Sequence, residues 1–138
     1  MPFVLDASVA MAWAFPDENH PVATIALDRI NSPDEARVPS IWWYEVRNSI
    51  ITNERRRRLT EADTSEYLRR LSRLPISIEH PPDEVRVMAL SRRYKLTVYD
   101  AAYLELAQRE AIPLATLDNE LVRAARAEKV HLVGKSSN

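Results

Sequence analysis

The sequence predicts an α/β fold built on a short, mainly parallel central sheet. Three observations carry that expectation. Short apolar runs recur at Pro2–Asp6, Ala36–Pro39, Pro75–Glu79, Pro113–Thr116 and Val130–Val133, each of strand length. Segments with helical spacing or helix-capping signals separate them, and such alternation requires crossovers, hence parallel strands covered on both faces. No repeat, low-complexity stretch or long linker interrupts the 138 residues, so one domain spanning 1–138 with a proper core is expected.

Pro2–Asp6 is apolar up to its closing acid, as a buried strand is. Ala7–Phe15 has helical spacing and stops before Pro16. Pro21–Ile30 places Val22, Ile25, Ala26 and Ile30 on one side of a helix. After the run Ala36–Pro39, Ser40 is positioned to cap a long helix to about Arg57, with Trp42, Val46 and Ile50 as its buried stripe. Leu59–Thr60 makes a turn, and Thr60-Glu-Ala-Asp63 has capping-box spacing for a helix to about Arg73. Pro82–Tyr94 is helical, and Thr97 with Asp100 repeats the capping-box spacing at the next helix. At about 100° per residue, Asp100, Tyr103, Leu104, Ala107 and Ala111 share a face that is apolar apart from Asp100. Asn119–Ala127 is the last helix before Val130–Val133.

Composition excludes several classes of function. A net charge of −1 gives no global pull toward polyanions, so any such binding must come from a local patch. With no cysteine there is no disulfide or thiol chemistry, which fits a reducing cytoplasm. The one glycine, Gly134, rules out a glycine-rich phosphate loop. Asp6 breaks the apolar start of the chain and no basic region precedes it, so neither a signal peptide nor a membrane span is expected.

The acids carry the chemistry. In parallel sheets, ligands sit outside the carboxyl ends of the strands. Asp6 closes the first run and Asp118 follows Pro113–Thr116 by two residues, so both point to that edge. Each also suits the N-cap of the helix after it. Asp100 begins a core-facing stripe, where a lone charge costs several kcal/mol unless compensated; turned outward, it would instead interact with first-turn amides. Glu45 lies mid-helix beside Trp42, Val46 and Ile50, with Ser49, Thr52 and Arg56 on its own face. Carboxylates converging in a partly dry crevice need a counter-charge, and an all-oxygen site favours Mg²⁺ or Mn²⁺. His20, His80 and His131 are scattered without metal-ligand spacing.

Val4-Leu-Asp-Ala-Ser-Val9, Tyr44-Glu-Val-Arg-Asn48, Thr97-Val-Tyr-Asp-Ala-Ala-Tyr-Leu104 and Leu114-Ala-Thr-Leu-Asp118 occur in this order. The ordered set resembles PIN-domain ribonucleases, most of all the VapC-type toxins of bacterial and archaeal toxin–antitoxin pairs, over essentially the whole chain. The resemblance implies a PIN-like three-layer αβα fold and an acidic quartet that maps onto Asp6, Glu45, Asp100 and Asp118, serving as both catalytic and metal-binding residues. It also implies supporting polar residues at Ser8, Asn48 and Thr116. Asn119 follows Asp118 where some family members carry a further acid that holds a second metal more firmly, which leaves one or two metals open.

By the same resemblance the expected activity is Mg²⁺-dependent hydrolysis of RNA in the cytoplasm, restrained by a cognate antitoxin. The antitoxin tail is expected beside the long helix, near Trp42, Trp43 and Arg56. RNA contact is expected at the arginine run Arg55–Arg58, with Arg55 and Arg56 foremost; a solvated helix end is the ordinary reading of such a run. Ile41, Tyr44 and Ile51 form a second apolar group on the long helix, which suggests a homodimer unless the Thr60–Arg73 helix covers it. The rival is a non-catalytic binding module, PIN-like or receiver-like. A receiver would want paired acids after the first strand and an aspartate on a central strand, and the nearest such strand, Ile76–Glu79, has none.

Overall fold

Four strands, β1 (Phe3–Leu5), β2 (Ala36–Val38), β3 (Ile76–Ile78) and β4 (Leu114–Ala115), pair in the order β3-β2-β1-β4, every pair parallel. The computed structural model describes residues 1–135. The first four apolar runs are strands: β1, inside the sheet, is wholly buried without polar alternation, whereas β2 and the edge strand β3 alternate around Arg37 and Ser77. β3 lies at the edge, not at the centre where a receiver comparison would put it. Val130–Val133 contributes one parallel bridge, Leu132 to Leu114, rather than a strand. Lys129 in left-handed backbone before it and Gly134 (φ 77°) after it leave no room for a longer ladder.

The crossovers are helical. α1 (Ala7–Ala12) and α2 (Pro21–Asn31) link β1 to β2; α3 (Ile41–Arg55) and α4 (Glu61–Leu71) link β2 to β3; α5 (Glu84–Tyr94) and α6 (Val98–Glu110) link β3 to β4; α7 (Asn119–Ala127) follows β4. α1 packs on α2 and α3, while α5 and α7 pack on α6, which itself lies against β1 and β4. The result is the three-layer αβα arrangement. α6 is more central than its stripe suggests: Ala101 to Ala107 are all buried, because α5, α7 and the sheet enclose it. Glu105, only 1% exposed within that run, is tolerated because Arg109 pairs with it at 2.7 Å and the Asp83 N–H donates to it at 3.3 Å.

Two helix starts depart from their sequence signals. Ser40 has helical backbone (φ −58°, ψ −30°) and its side chain makes no cap bond; the turn is closed by Trp42 N–H donating to Pro39 O at 3.0 Å. The Thr60–Asp63 capping box forms in both directions, whereas at Thr97 only the threonine half forms, Asp100 N–H donating to its hydroxyl at 3.0 Å. The Asp100 carboxylate is left free to point elsewhere.

Strand order also locates a crevice. From β1 the chain steps outward to β2 and β3, then returns to the other side of β1 as β4. The topological switch point therefore lies between the carboxyl ends of β1 and β4, the edge to which Asp6 and Asp118 belong.

Candidate active site

Asp6 continues the ladder beyond β1, its N–H donating to Ala115 O at 3.0 Å. It occupies the N-cap position of α1, but its side chain does not cap. Instead Oδ2 accepts hydrogen bonds from Ser8 Oγ at 2.6 Å and Thr116 Oγ1 at 2.7 Å. Those hydroxyls are themselves fixed: the Leu117 N–H donates to Ser8 and the Asp118 N–H to Thr116, each at 3.0 Å. Ser8 and Thr116 thus lock the loops after β1 and β4 together around one carboxylate, which is 5% exposed. Thr116, itself buried, donates its hydroxyl to Asp6.

Asp118 does cap α7, Oδ1 accepting the Glu120 and Leu121 N–H groups at 2.8 and 3.4 Å. Capping uses one oxygen, so the two sequence readings of Asp118 are compatible. Glu45 reaches the cluster from the second turn of α3, and Tyr103 on α6 donates its hydroxyl to Glu45 Oε1 at 2.6 Å. Asp100 enters from the first turn of α6.

The four acids interact strongly. Burial and then the charges of Glu45 and Asp118 push the Asp6 carboxyl up to about 6, against the lowering effect of its two hydroxyl partners. Burial, followed by Asp118 and Asp6, pushes Asp100 up to about 6 as well. Glu45 is raised by burial and by Asp100, in spite of the Tyr103 bond. Among the described residues none of the four forms an ion pair. Nor do three acid, histidine or cysteine side chains among the described residues stand grouped closely enough to hold a metal ion as they are placed here.

Other expected residues fall outside this constellation. Asn48 is exposed and makes no hydrogen bond among the described residues, so no carboxylate is oriented by it. Arg55 and Arg56 are exposed and unpaired among the described residues; Arg56 lies about 16 Å along the helix from Glu45, on the same face. Arg58 is committed elsewhere, hydrogen-bonding Asn53 and Glu18 and stacking on Phe15 at 4.3 Å. Trp42 is core, whereas Trp43 is 44% exposed under Arg47 at 4.3 Å. Tyr44 and Ile51 are exposed as well, so α4 does not cover the second apolar face of α3.

Tyr103 is the residue that the apolar stripe concealed. Its ring is fully buried core, and burial, with the Asp6 charge beside it, holds the phenol far above its ordinary range, so the hydroxyl keeps its proton and donates. The available signal was chemical: a buried tyrosine hydroxyl needs an acceptor, and Asp100 one turn earlier on the same face marked where acceptors gather.

Residues 3–127 match the family model of the PIN domain. The chain is 33% identical over 124 residues to Ribonuclease VapC3 of Pyrobaculum aerophilum, an alignment covering 88% of this chain and 92% of that protein. Its fold resembles the crystal structure of PAE2754, also from Pyrobaculum aerophilum, with a TM-score of 0.69 at 22% identity, covering 90% of this chain and 84% of that one.

Proposed function

The chain belongs to the PIN-domain family, with a VapC ribonuclease among its relatives, and on that premise we propose that it is the endoribonuclease toxin of a toxin–antitoxin pair. In this reading Asp6, Glu45, Asp100 and Asp118 hold Mg²⁺ or Mn²⁺ and RNA is the substrate. The observation that carries it is electrostatic. Four carboxylates from four parts of the chain meet at the switch point, where burial and then neighbouring acids raise the proton affinity of Asp6, Glu45 and Asp100, and none of the four is paired with a basic group among the described residues. Structural acids elsewhere in this chain, such as Glu105 and Glu128, sit against arginines.

The donors fit a hard cation, since all are oxygen. Asp6, Glu45, Asp100 and Asp118 would hold the cation, which would supply positive charge for the scissile phosphate and leaving oxygen and a more acidic water. The chain's own part is to hold the acids. Ser8 and Thr116 keep the Asp6 carboxylate fixed through the loops after β1 and β4, and the first amides of α7 fix Asp118. Arg55 and Arg56 supply the local positive charge that a near-neutral protein needs to hold RNA phosphates beyond the scissile one.

A ribonuclease working in the cytoplasm needs restraint, and an antitoxin segment passing the exposed Trp43 could place a basic side chain among the four acids. The uncovered Tyr44 and Ile51 on α3 favour a homodimer through that face. No helix among the described residues is long and apolar enough to cross a membrane.

The test is turnover of a small structured RNA by purified protein. Mg²⁺ should support cleavage and EDTA should abolish it. RNA binding without metal-dependent turnover would favour the non-catalytic module instead.

A further inference from the structure

Three of the four carboxylates share a pattern. Asp6 has Oδ2 engaged by two hydroxyls, Asp118 has Oδ1 engaged by two helix amides, and Glu45 has Oε1 engaged by Tyr103. In each the second oxygen accepts from no protein donor among the described residues. Asp6 and Asp118 are each held by two donors, at least one of them within three residues of the acid. Glu45 is held only by a residue 58 positions away on a different helix. A glutamate side chain has one more rotatable bond than aspartate and sits on a half-exposed helix face, so without that bond its carboxylate would be free to swing toward solvent.

We propose that Tyr103 is a positioning residue: its buried hydroxyl holds Glu45 Oε1 and thereby presents Oε2 to the divalent cation. This rests on the metal-site reading above. α6 then plays two parts one turn apart, supplying Asp100 as a ligand and Tyr103 as the holder of another. Tyr103 itself touches neither cation nor RNA.

The experiment is Mn²⁺ titration of the full chain by calorimetry, without RNA, for wild type, Tyr103→Phe, Glu45→Gln and the double variant. Phe keeps the buried ring and removes only the hydroxyl. Tyr103→Phe should weaken Mn²⁺ binding about tenfold and raise the Mn²⁺ needed for half-maximal RNA cleavage by the same factor. Cleavage at saturating Mn²⁺ should stay within about twofold of wild type, and in the Glu45→Gln background the loss of the hydroxyl should add nothing. Unchanged Mn²⁺ affinity in Tyr103→Phe, or an equal further loss in the Glu45→Gln background, would overturn the assignment and leave the bond a plain tie between α3 and α6. Should Tyr103→Phe fail to fold, Glu45→Asp shortens the side chain away from Tyr103 while keeping the charge. It should show the same loss of affinity, and normal binding would overturn the proposal. Wild-type protein that binds no Mn²⁺ and cleaves nothing would instead remove the metal-nuclease reading and the proposal with it.

Discussion

Replacing Asp6 by Asn should stabilise the metal-free protein at neutral pH while removing its activity. Asn keeps a carbonyl oxygen to accept the Ser8 and Thr116 hydroxyls, and its amide replaces the oxygen that faces Glu45 and Asp118. The magnitude follows from linkage. Burial, with those two charges, raises the Asp6 carboxyl from 3.8 to about 6, so the folded state binds the proton more tightly than the unfolded chain. Stability from this group is therefore full below about pH 4 and is lost as pH rises through 6. At about 1.4 kcal/mol for each tenfold change in proton affinity the displacement is worth about 3 kcal/mol. Coupling among the acids shares that cost, leaving roughly 1–2 kcal/mol to Asp6 alone. Asp100 acts in the same direction and window. Glu18, Asp34 and Glu128, held low chiefly by His20, the N-terminal ammonium and Tyr94, lose their contribution only as pH falls below the ordinary carboxylate range. Urea unfolding in EDTA at pH 5 and 7.5 measures the effect. Wild type should be less stable at pH 7.5 than at pH 5, and Asp6→Asn should exceed it at pH 7.5 by about 1–2 kcal/mol. A wild type that gains stability over that interval, or an Asp6→Asn protein less stable than wild type at pH 7.5, would refute the reasoning.

Asp100→Asn should retain native circular dichroism and lose at least ~100-fold in Mg²⁺-dependent RNA cleavage, because it removes a carboxylate from the proposed cation site. Thr116→Val should cost about 1–3 kcal/mol in urea unfolding, since the Asp118 N–H and Asp6 Oδ2 both lose a buried partner. Mn²⁺ at about a hundred times its dissociation constant should stabilise the wild type by about 2.7 kcal/mol in the same assay and leave Asp6→Asn nearly unmoved. Light scattering should return about twice the chain mass of 15.9 kDa, and Tyr44→Glu should return the monomer.

Two of the acids were legible because strand ends are legible: Asp6 closes a short apolar run and Asp118 follows one by two residues, and the parallel topology then fixes which edge they face. Local spacing was less informative where tertiary contacts decide. Thr60-x-x-Asp63 and Thr97-x-x-Asp100 are identical signals, yet only the exposed one completes its box; beside Asp6 and Asp118, Asp100 turns to the cluster instead. Asn48 stands exposed on α3, since spacing along a helix does not say which polar neighbour is solvent-facing. Tyr103 was invisible as a polar group because its ring satisfies the apolar pattern completely, and only the tertiary structure, which brings Glu45 to 2.6 Å, discloses where the hydroxyl goes. The exposed Tyr44 and Ile51 show the reverse, an apolar pattern that the single chain leaves uncovered.

That the carboxylate cluster serves to deliver an activated water to an RNA phosphodiester can be tested on the products themselves. Cleavage run in ¹⁸O-labelled water with Mg²⁺ should leave at each cut a linear terminal monophosphate carrying one labelled oxygen, as direct attack by water requires. Fragments ending in a 2′,3′-cyclic phosphate without label, formed with or without Mg²⁺, would mean attack by the RNA's own hydroxyl and would contradict the role given to Asp6, Glu45, Asp100 and Asp118.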